Sequence, residues 1–258
     1  MSLPDRPTQP PDALVYPERE DTWLLVPFAR VARPGSRVLD VGTGNGRLAV
    51  EAARVGARVV ATDRNPAALV RLRVLAAREQ LWIEPVRTDL AAGLGRFDRI
   101  LANPPYLPTR PGERDPDPWQ NLALDGGPDG TSVTRRIVRE LSAHLLPGGR
   151  AYLLVSSIQS PNALGRIRSA WRANGGRLVV RSRRRLEGER LEVWELSRAG
   201  GRTPARPSGP RTRGRTPGTV GRRQSRSVPP TGSNPAPAGG RRTARGGASI
   251  RRRSPRGS

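Results

Sequence analysis

Between Arg37 and Ser197, short apolar runs rich in Val, Ile and Leu alternate with stretches in which apolar residues recur every three to four positions. Unbroken apolar runs suit strands covered on both faces, and the longer spacing is the buried stripe of a helix. The alternation therefore predicts an α/β fold around a mainly parallel sheet. "RVLDV" (37–41) reads as a buried strand, followed by a glycine turn and the helix "RLAVEAARVG", which Gly56 closes. "RVVAT" (58–62) is the second strand, and Pro66 sits in the first turn of the helix "PAALVRLRVLAAREQ". A weaker third strand covers about Trp82 to Arg87, and "FDRILA" (97–102), the fourth, runs directly into Asn103-Pro104-Pro105-Tyr106.

A long polar loop is expected from Leu107 to about Gly130. The helix "TSVTRRIVRELSAHL" then leads through "PGG" into the strand "RAYLLVS" (150–156). A helix over about Asn162 to Asn174 precedes "RLVVRSR" and "RLEVWELS", a closing hairpin around Glu187 and Gly188. Seven strands in one domain, with no internal repeat, are the expectation.

The pattern stops at Arg198. From there to the end the chain has sixteen arginines, no acidic residue and no aromatic, with Pro, Gly, Ser, Thr and Ala filling most of the rest. Such a segment buries too little apolar surface to offset its ordering entropy. The organisation expected is thus a flexible N-terminus (1–13), a folded domain (14–197) and a disordered basic tail (198–258). Of the formal net charge of +24, sixteen belong to the tail; the remaining thirty arginines face 22 acidic residues, so the folded part is only moderately basic at +8. The tail would attract RNA or another polyanion through counterion release. A solubilising extension, or a coding bias that makes every basic residue Arg and none Lys, explains it equally well.

The absence of cysteine excludes disulfides, thiol nucleophiles and thiolate zinc sites. The single histidine, His144, cannot build a metal cluster and falls in the last turn of a helix, where it suits the dipole. No apolar run approaches the roughly 20 residues that span a bilayer, and "MSLPDRPTQPPDALVY" lacks the apolar core of a signal peptide. A cytoplasmic protein without membrane contact is expected.

The candidate chemistry lies at the carboxyl ends of the predicted strands, where open α/β sheets bind ligands. The turn "DVGTGNG" holds Asp40, Gly42, Thr43, Gly44, Asn45 and Gly46 between a strand and a helix N-terminus. Its glycines permit a tight turn and close approach of a ligand to the backbone. Asp63, at the end of the second strand, is placed to accept hydrogen bonds from both ribose hydroxyls of a nucleoside. The glycine spacing is GxGxG, without the GxGxxG that packs a helix against pyrophosphate. That favours S-adenosyl-L-methionine, which has no pyrophosphate, over a dinucleotide.

Asn103-Pro104-Pro105-Tyr106 suits a conjugated, weakly nucleophilic NH2. Asn103 Oδ1 and the Pro104 carbonyl would accept its two hydrogens and aim the lone pair, the prolines would fix the backbone, and Tyr106 would offer a flat face for stacking. Prolines after an asparagine also simply end buried strands.

Together, "RVLDVGTGNGRLAV", "ATDRNPAAL", "FDRILANPPY" and "LDGGPDG" resemble the HemK family of class I methyltransferases, which methylate the glutamine side chain of peptide-chain release factors. "VYPEREDTWLL" (15–25) is similar to the VYEPAEDTFLL of the family's short archaeal and eukaryotic subgroup. Here Pro17 and Glu18 are exchanged and Arg19 replaces Ala, while Glu20, Asp21 and Thr22 keep their places. The resemblance covers about residues 14 to 197 and does not include the N-terminal helical domain of the bacterial enzymes. It implies a Rossmann-like class I methyltransferase fold, a seven-stranded mostly parallel sheet with a C-terminal antiparallel strand. It also implies S-adenosyl-L-methionine as cofactor, a release-factor substrate and, as in the short subgroup, a small zinc-binding activator subunit.

By the same resemblance Asp89 and Leu90 lie near the adenine ring, although a polar strand end reads the same. Glu20, Asp21 and Thr22 line the cofactor or substrate mouth, or form an acidic cap before "TWLLVPF". "LDGGPDG" (124–130) shapes the substrate pocket or is a flexible turn, and Trp119 is a candidate lid contact. Two other functions remain open: methylation of an exocyclic base amine in RNA or DNA, and a noncatalytic cofactor- or RNA-binding module.

Overall fold

The computed structural model describes residues 15–198. The N-terminus expected to be flexible and residues 199–258 of the expected basic tail lie outside the described residues. The described chain forms six helices: α1 (Glu20–Arg30), α2 (Arg47–Arg54), α3 (Pro66–Arg78), α4 (Pro118–Leu124), α5 (Ser132–His144) and α6 (Pro161–Ala173). Seven strands, β1 (Arg37–Val41), β2 (Arg58–Asp63), β3 (Ile83–Arg87), β4 (Phe97–Ala102), β5 (Leu145–Ser156), β6 (Gly176–Leu186) and β7 (Glu189–Arg198), make one sheet in the order β3-β2-β1-β4-β5-β7-β6. β1 to β5 pair in parallel, and β7 runs antiparallel to both β5 and β6.

Successive residues of a strand point to opposite faces, so the buried strands serve two cores. Val38, Val59, Ala61, Leu101 and Leu154 pack with Leu25 of α1, Leu48 of α2 and Leu72 of α3. Leu39, Val41, Ile100, Leu153 and Trp194 pack on the other face with Ile137 and Leu141 of α5 and Ile167 and Trp171 of α6. Each fully buried Leu or Ile contributes about 1.5–3 kcal/mol, which is why the alternation along 37–197 was sufficient to specify this layering. The order of strands reverses beside β1, which opens a crevice at the carboxyl ends of β1 and β4.

Local chemistry sets the helix starts. Asn65 accepts from the Ala67 N–H at 2.9 Å and Ser160 from the Ala163 N–H at 3.3 Å, each ahead of a proline at the first helical position. His144 ends α5 as expected, with Nδ1 3.0 Å from the Gly95 carbonyl oxygen. The Pro85 of β3 is tolerated because β3 is an edge strand.

Three features differ from the sequence expectation. α1 precedes the alternating series and was anticipated only as a possible cap cluster; Arg19 is its N-cap, and Glu20 and Asp21 occupy its first turn, where the helix dipole favours carboxylates. The loop expected over 107–130 contains a 3₁₀ turn at Pro111–Glu113 and α4. α4 is only one to two turns long, too short to show periodicity; it forms because Asp117 caps the Trp119 N–H at 2.9 Å, Pro118 starts it and Trp119 is buried. β5 begins at Leu145, opposite Phe97, so the "PGG" segment lies inside the strand beside a register shift between Phe97 and Arg99.

Candidate functional site

The crevice holds a cavity of about 490 Å³, lined by the β1–α2 turn, the ends of β2 and β4, α1, α4 and the start of β7. Asp40, Gly42, Thr43, Gly44, Asn45, Asp63, Asp89, Leu90, Thr22 and the Asn103 to Tyr106 segment all line it. The fold thus brings together nearly every residue singled out in the sequence; Gly46 stands just behind, as the N-cap of α2.

The turn is braced by its own polar groups. Asp40 is 1% exposed, and its Oδ2 accepts from the Thr43 hydroxyl at 2.7 Å and the Ala49 N–H at 3.1 Å. The Asn45 Oδ1 accepts from the Arg47 N–H at 2.9 Å. Gly42, Gly44 and Gly46 have φ of +67°, +51° and +84°. A Cβ on Gly42 or Gly44 would meet no protein atom within 4 Å, whereas one on Gly46 would lie 2.7 Å from Leu72 Cδ1. The first two glycines keep the turn open, and the third lets α2 pack on α3.

Asp63 accepts from the Gly44 N–H at 2.9 Å and the Asn65 N–H at 2.8 Å. Burial raises its carboxyl above the usual range against these bonds. Burial also pushes Asp40 up to about 7, with the Thr43 and Ala49 bonds opposing and the nearby Asp63 charge adding. Between pH 4 and 7 the unfolded chain therefore releases the Asp40 proton while the folded chain keeps it, so stability falls as pH rises through this window and levels above it. Asp40→Asn, which preserves both accepted bonds, is expected to flatten this slope by on the order of a few kcal/mol, measured by urea unfolding of the ligand-free protein at pH 4.5 and 7.5.

At the end of β4, Asn103 Nδ2 donates to Thr22 Oγ1 at 3.3 Å, while Asn103 Oδ1 is buried without a hydrogen-bond partner. Such an atom costs about 1–3 kcal/mol in a folded protein. The Tyr106 hydroxyl donates to Asp21 Oδ2 at 3.3 Å; burial first, then the Asp21 and Glu189 charges, raise its pKa, so the phenol stays protonated. Thr22 is buried, and its hydroxyl is engaged by Asn103 and Asp21.

"LDGGPDG" proves to be a brace. The Leu107 N–H donates to the Leu124 carbonyl at 3.1 Å, the Gly126 N–H to the Leu107 carbonyl at 2.9 Å, and Gln159 Nε2 to the Gly130 carbonyl at 2.7 Å. A Cβ on Gly130 would lie 2.5 Å from the Tyr106 carbonyl oxygen, so this close approach requires glycine. Asp89 pairs with Arg136 of α5 at 2.7 Å, and Leu90 adopts φ +54°, a left-handed conformation that is costly for a leucine. Trp119, the candidate lid contact, is buried in α4 and lines the cavity.

Several site features were not legible in the sequence. Glu18, at an exchanged position, forms a two-pronged pair with Arg47 at 2.7 and 2.9 Å, tying the segment before α1 to the start of α2. The buried Glu51 takes Arg30, Arg47 and Arg54 at 2.7, 3.3 and 3.3 Å, which fixes α1 against α2. Glu189 and Leu191 line the cavity from β7, the last described strand. The "EDT" tripeptide before an apolar run was the signal available for the Asp21 contact; the distal partners left no local signal.

The methyltransferase small domain model matches residues 21–115. A release factor glutamine methyltransferase of Deinococcus radiodurans is 42% identical over 191 residues, spanning 66% of this chain and 66% of that protein. A protein of Methanocaldococcus jannaschii, provisionally named a protein N5-glutamine methyltransferase, is 37% identical over 146 residues, spanning 56% of this chain and 73% of its own length. Among solved structures, the E. cuniculi Mtq2-Trm112 complex, described as responsible for methylation of the eRF1 translation termination factor, aligns with a TM-score of 0.56 and 26% identity, covering 72% of this chain and 99% of that one.

Proposed function

The chain belongs to the HemK family of methyltransferases, and from that premise we propose that it transfers a methyl group from S-adenosyl-L-methionine to the side-chain nitrogen of a glutamine in a peptide-chain release factor. One observation carries the reading: Asn103 Oδ1 is a buried acceptor without a partner, in a residue that lines the cavity. A glutamine NH2 has two hydrogens to give. Asn103 Oδ1 accepts one and the Pro104 carbonyl the other, leaving the nitrogen lone pair aimed into the cavity. Because proline fixes φ near −65°, this pair of acceptors needs no ordering at the moment of reaction. Tyr106, held protonated, supplies a ring face against the planar amide. No strong base is needed before transfer, since the nitrogen becomes acidic as it is alkylated.

The cavity residues fit the cofactor. Open glycines at 42 and 44, a half-buried carboxylate at Asp63 and a helix N-terminus behind them match a nucleoside and an amino-acid group. S-adenosyl-L-methionine supplies the electrophilic methyl group. Asp63 would hold the ribose hydroxyls, Asp89 and Leu90 the adenine edge, and the turn from Asp40 to Gly46 with Thr22 the remainder.

The proposal extends to one catalytic domain over residues 14–197 and a basic tail that adds salt-dependent affinity for RNA. It also extends to a cytoplasmic setting; no described helix is long and apolar enough to cross a membrane. A small activator subunit, such as the partner of the E. cuniculi relative, is the first addition to make to the assay. The test is incubation of the purified chain, with and without such a subunit, with methyl-labelled S-adenosyl-L-methionine and a glutamine-bearing release factor. Label that is lost with protease and survives ribonuclease is expected, on the glutamine. Label lost with ribonuclease would assign the acceptor to a base, and no label under any condition would leave a noncatalytic module.

A further inference from the structure

An asparagine side chain has nearly the same shape either way round, yet only one orientation can receive an NH2. With Oδ1 toward the acceptor it accepts a hydrogen; flipped, its own NH2 opposes the acceptor's. Thr22 touches Asn103 Nδ2, but a hydroxyl both donates and accepts, so Thr22 alone would tolerate either orientation.

The choice is made one residue away. Asp21 Oδ1 accepts the Thr22 hydroxyl at 3.3 Å and the Thr22 N–H at 2.6 Å. A carboxylate only accepts, so the Thr22 hydrogen is committed to Asp21, and Thr22 Oγ1 is left to accept from Asn103 Nδ2. The hydrogen bonds then run one way, from Asn103 to Thr22 to Asp21, and Oδ1 is left as the unengaged acceptor of the amide. The other oxygen of Asp21 accepts the Tyr106 hydroxyl at 3.3 Å, so one side chain holds both ends of the Asn103 to Tyr106 segment. Asp21 itself is kept in place by the first turn of α1 and by the Glu51 cluster that locks α1 onto α2.

We infer that Asp21 is the positioning residue that sets the orientation of the Asn103 amide, acting through Thr22. This rests on the reading of Asn103 given above. Asp21→Asn keeps the size of the side chain but adds donors, so the one-way polarity is lost. Its kcat for methylation of a purified release factor is expected to fall by about 10- to 100-fold, with the cofactor Kd, the release-factor KM and the Tm nearly unchanged.

A second background separates orientation from general damage. In Asn103→Asp either carboxylate oxygen accepts, so orientation no longer matters, and adding Asp21→Asn should cost no further activity. If Asn103→Asp turns over too slowly to measure, Thr22→Val serves instead: it breaks the same relay, so the double variant with Asp21→Asn should be no slower than the slower single variant. An unchanged kcat in Asp21→Asn, a loss confined to Kd or KM, an equal loss in the Asn103→Asp background, or additive losses with Thr22→Val would each overturn the inference while the proposed function stands. Near-normal turnover in Asn103→Ala would overturn both.

Discussion

Asn103→Ala lowers kcat by about 10²- to 10³-fold and leaves cofactor affinity within about twofold: this is the expected result if the unpartnered Oδ1 is the atom that holds the acceptor nitrogen. The magnitude is that of removing one preorganised hydrogen-bond partner from a site where charge develops. Stability should move the other way. The wild-type chain buries an oxygen with no partner, at a cost of about 1–3 kcal/mol, and alanine removes it together with one long bond to Thr22. The melting temperature is therefore expected to be unchanged or higher, so that activity and stability separate in a single variant. Single-turnover kinetics, cofactor titration and thermal unfolding on the same preparation check all three. A near-normal kcat, or an inactive protein that has also lost its fold, would count against the assignment.

Asp63→Ala is expected to act on the cofactor instead, raising its Kd by on the order of 10²-fold with a much smaller change in kcat at saturation. Two hydrogen bonds from ribose hydroxyls to a carboxylate account for a loss of that size. Asp63 also receives the Gly44 and Asn65 N–H groups at 2.9 and 2.8 Å, so part of the loss would come from a loosened turn. Asp63→Asn divides the two contributions, since its remaining oxygen still accepts from one backbone N–H. Isothermal titration with S-adenosyl-L-methionine measures both variants, and an unchanged Kd in Asp63→Ala would remove the residue from the cofactor site.

The site was legible where its chemistry is written in consecutive residues. The turn from Asp40 to Gly46 and the segment from Asn103 to Tyr106 each follow a strand whose burial is evident from composition, so their placement at strand ends could be read directly. Asp63 and Asp89 followed from the same logic one and two strands further out. What could not be read was which of these groups already have partners. Asp89 is paired with Arg136, 47 positions away, and Asp40 is occupied by its own turn. "LDGGPDG" left both a pocket wall and a flexible turn open, and only its bonds to Leu107 and Gln159 reveal a brace.

The alternation of apolar runs and helical stripes determined that this chain builds an open α/β sheet. The reason is physical: a strand buried on both faces and a helix buried on one stripe impose different periods on the sequence, and those periods are local. The glycine turn and the Asn-Pro-Pro-Tyr segment were likewise determined locally, because backbone freedom and backbone restriction belong to residue type. Tertiary structure alone decided which oxygen of the site lacks a partner, that Thr22 stands against Asn103 across 81 positions and Asp21 against Tyr106 across 85, and that α1 is pinned by arginines around Glu51. Hydrogen-bond satisfaction and the orientation of an amide depend on groups brought together by folding from distant parts of the chain, and no local period encodes them.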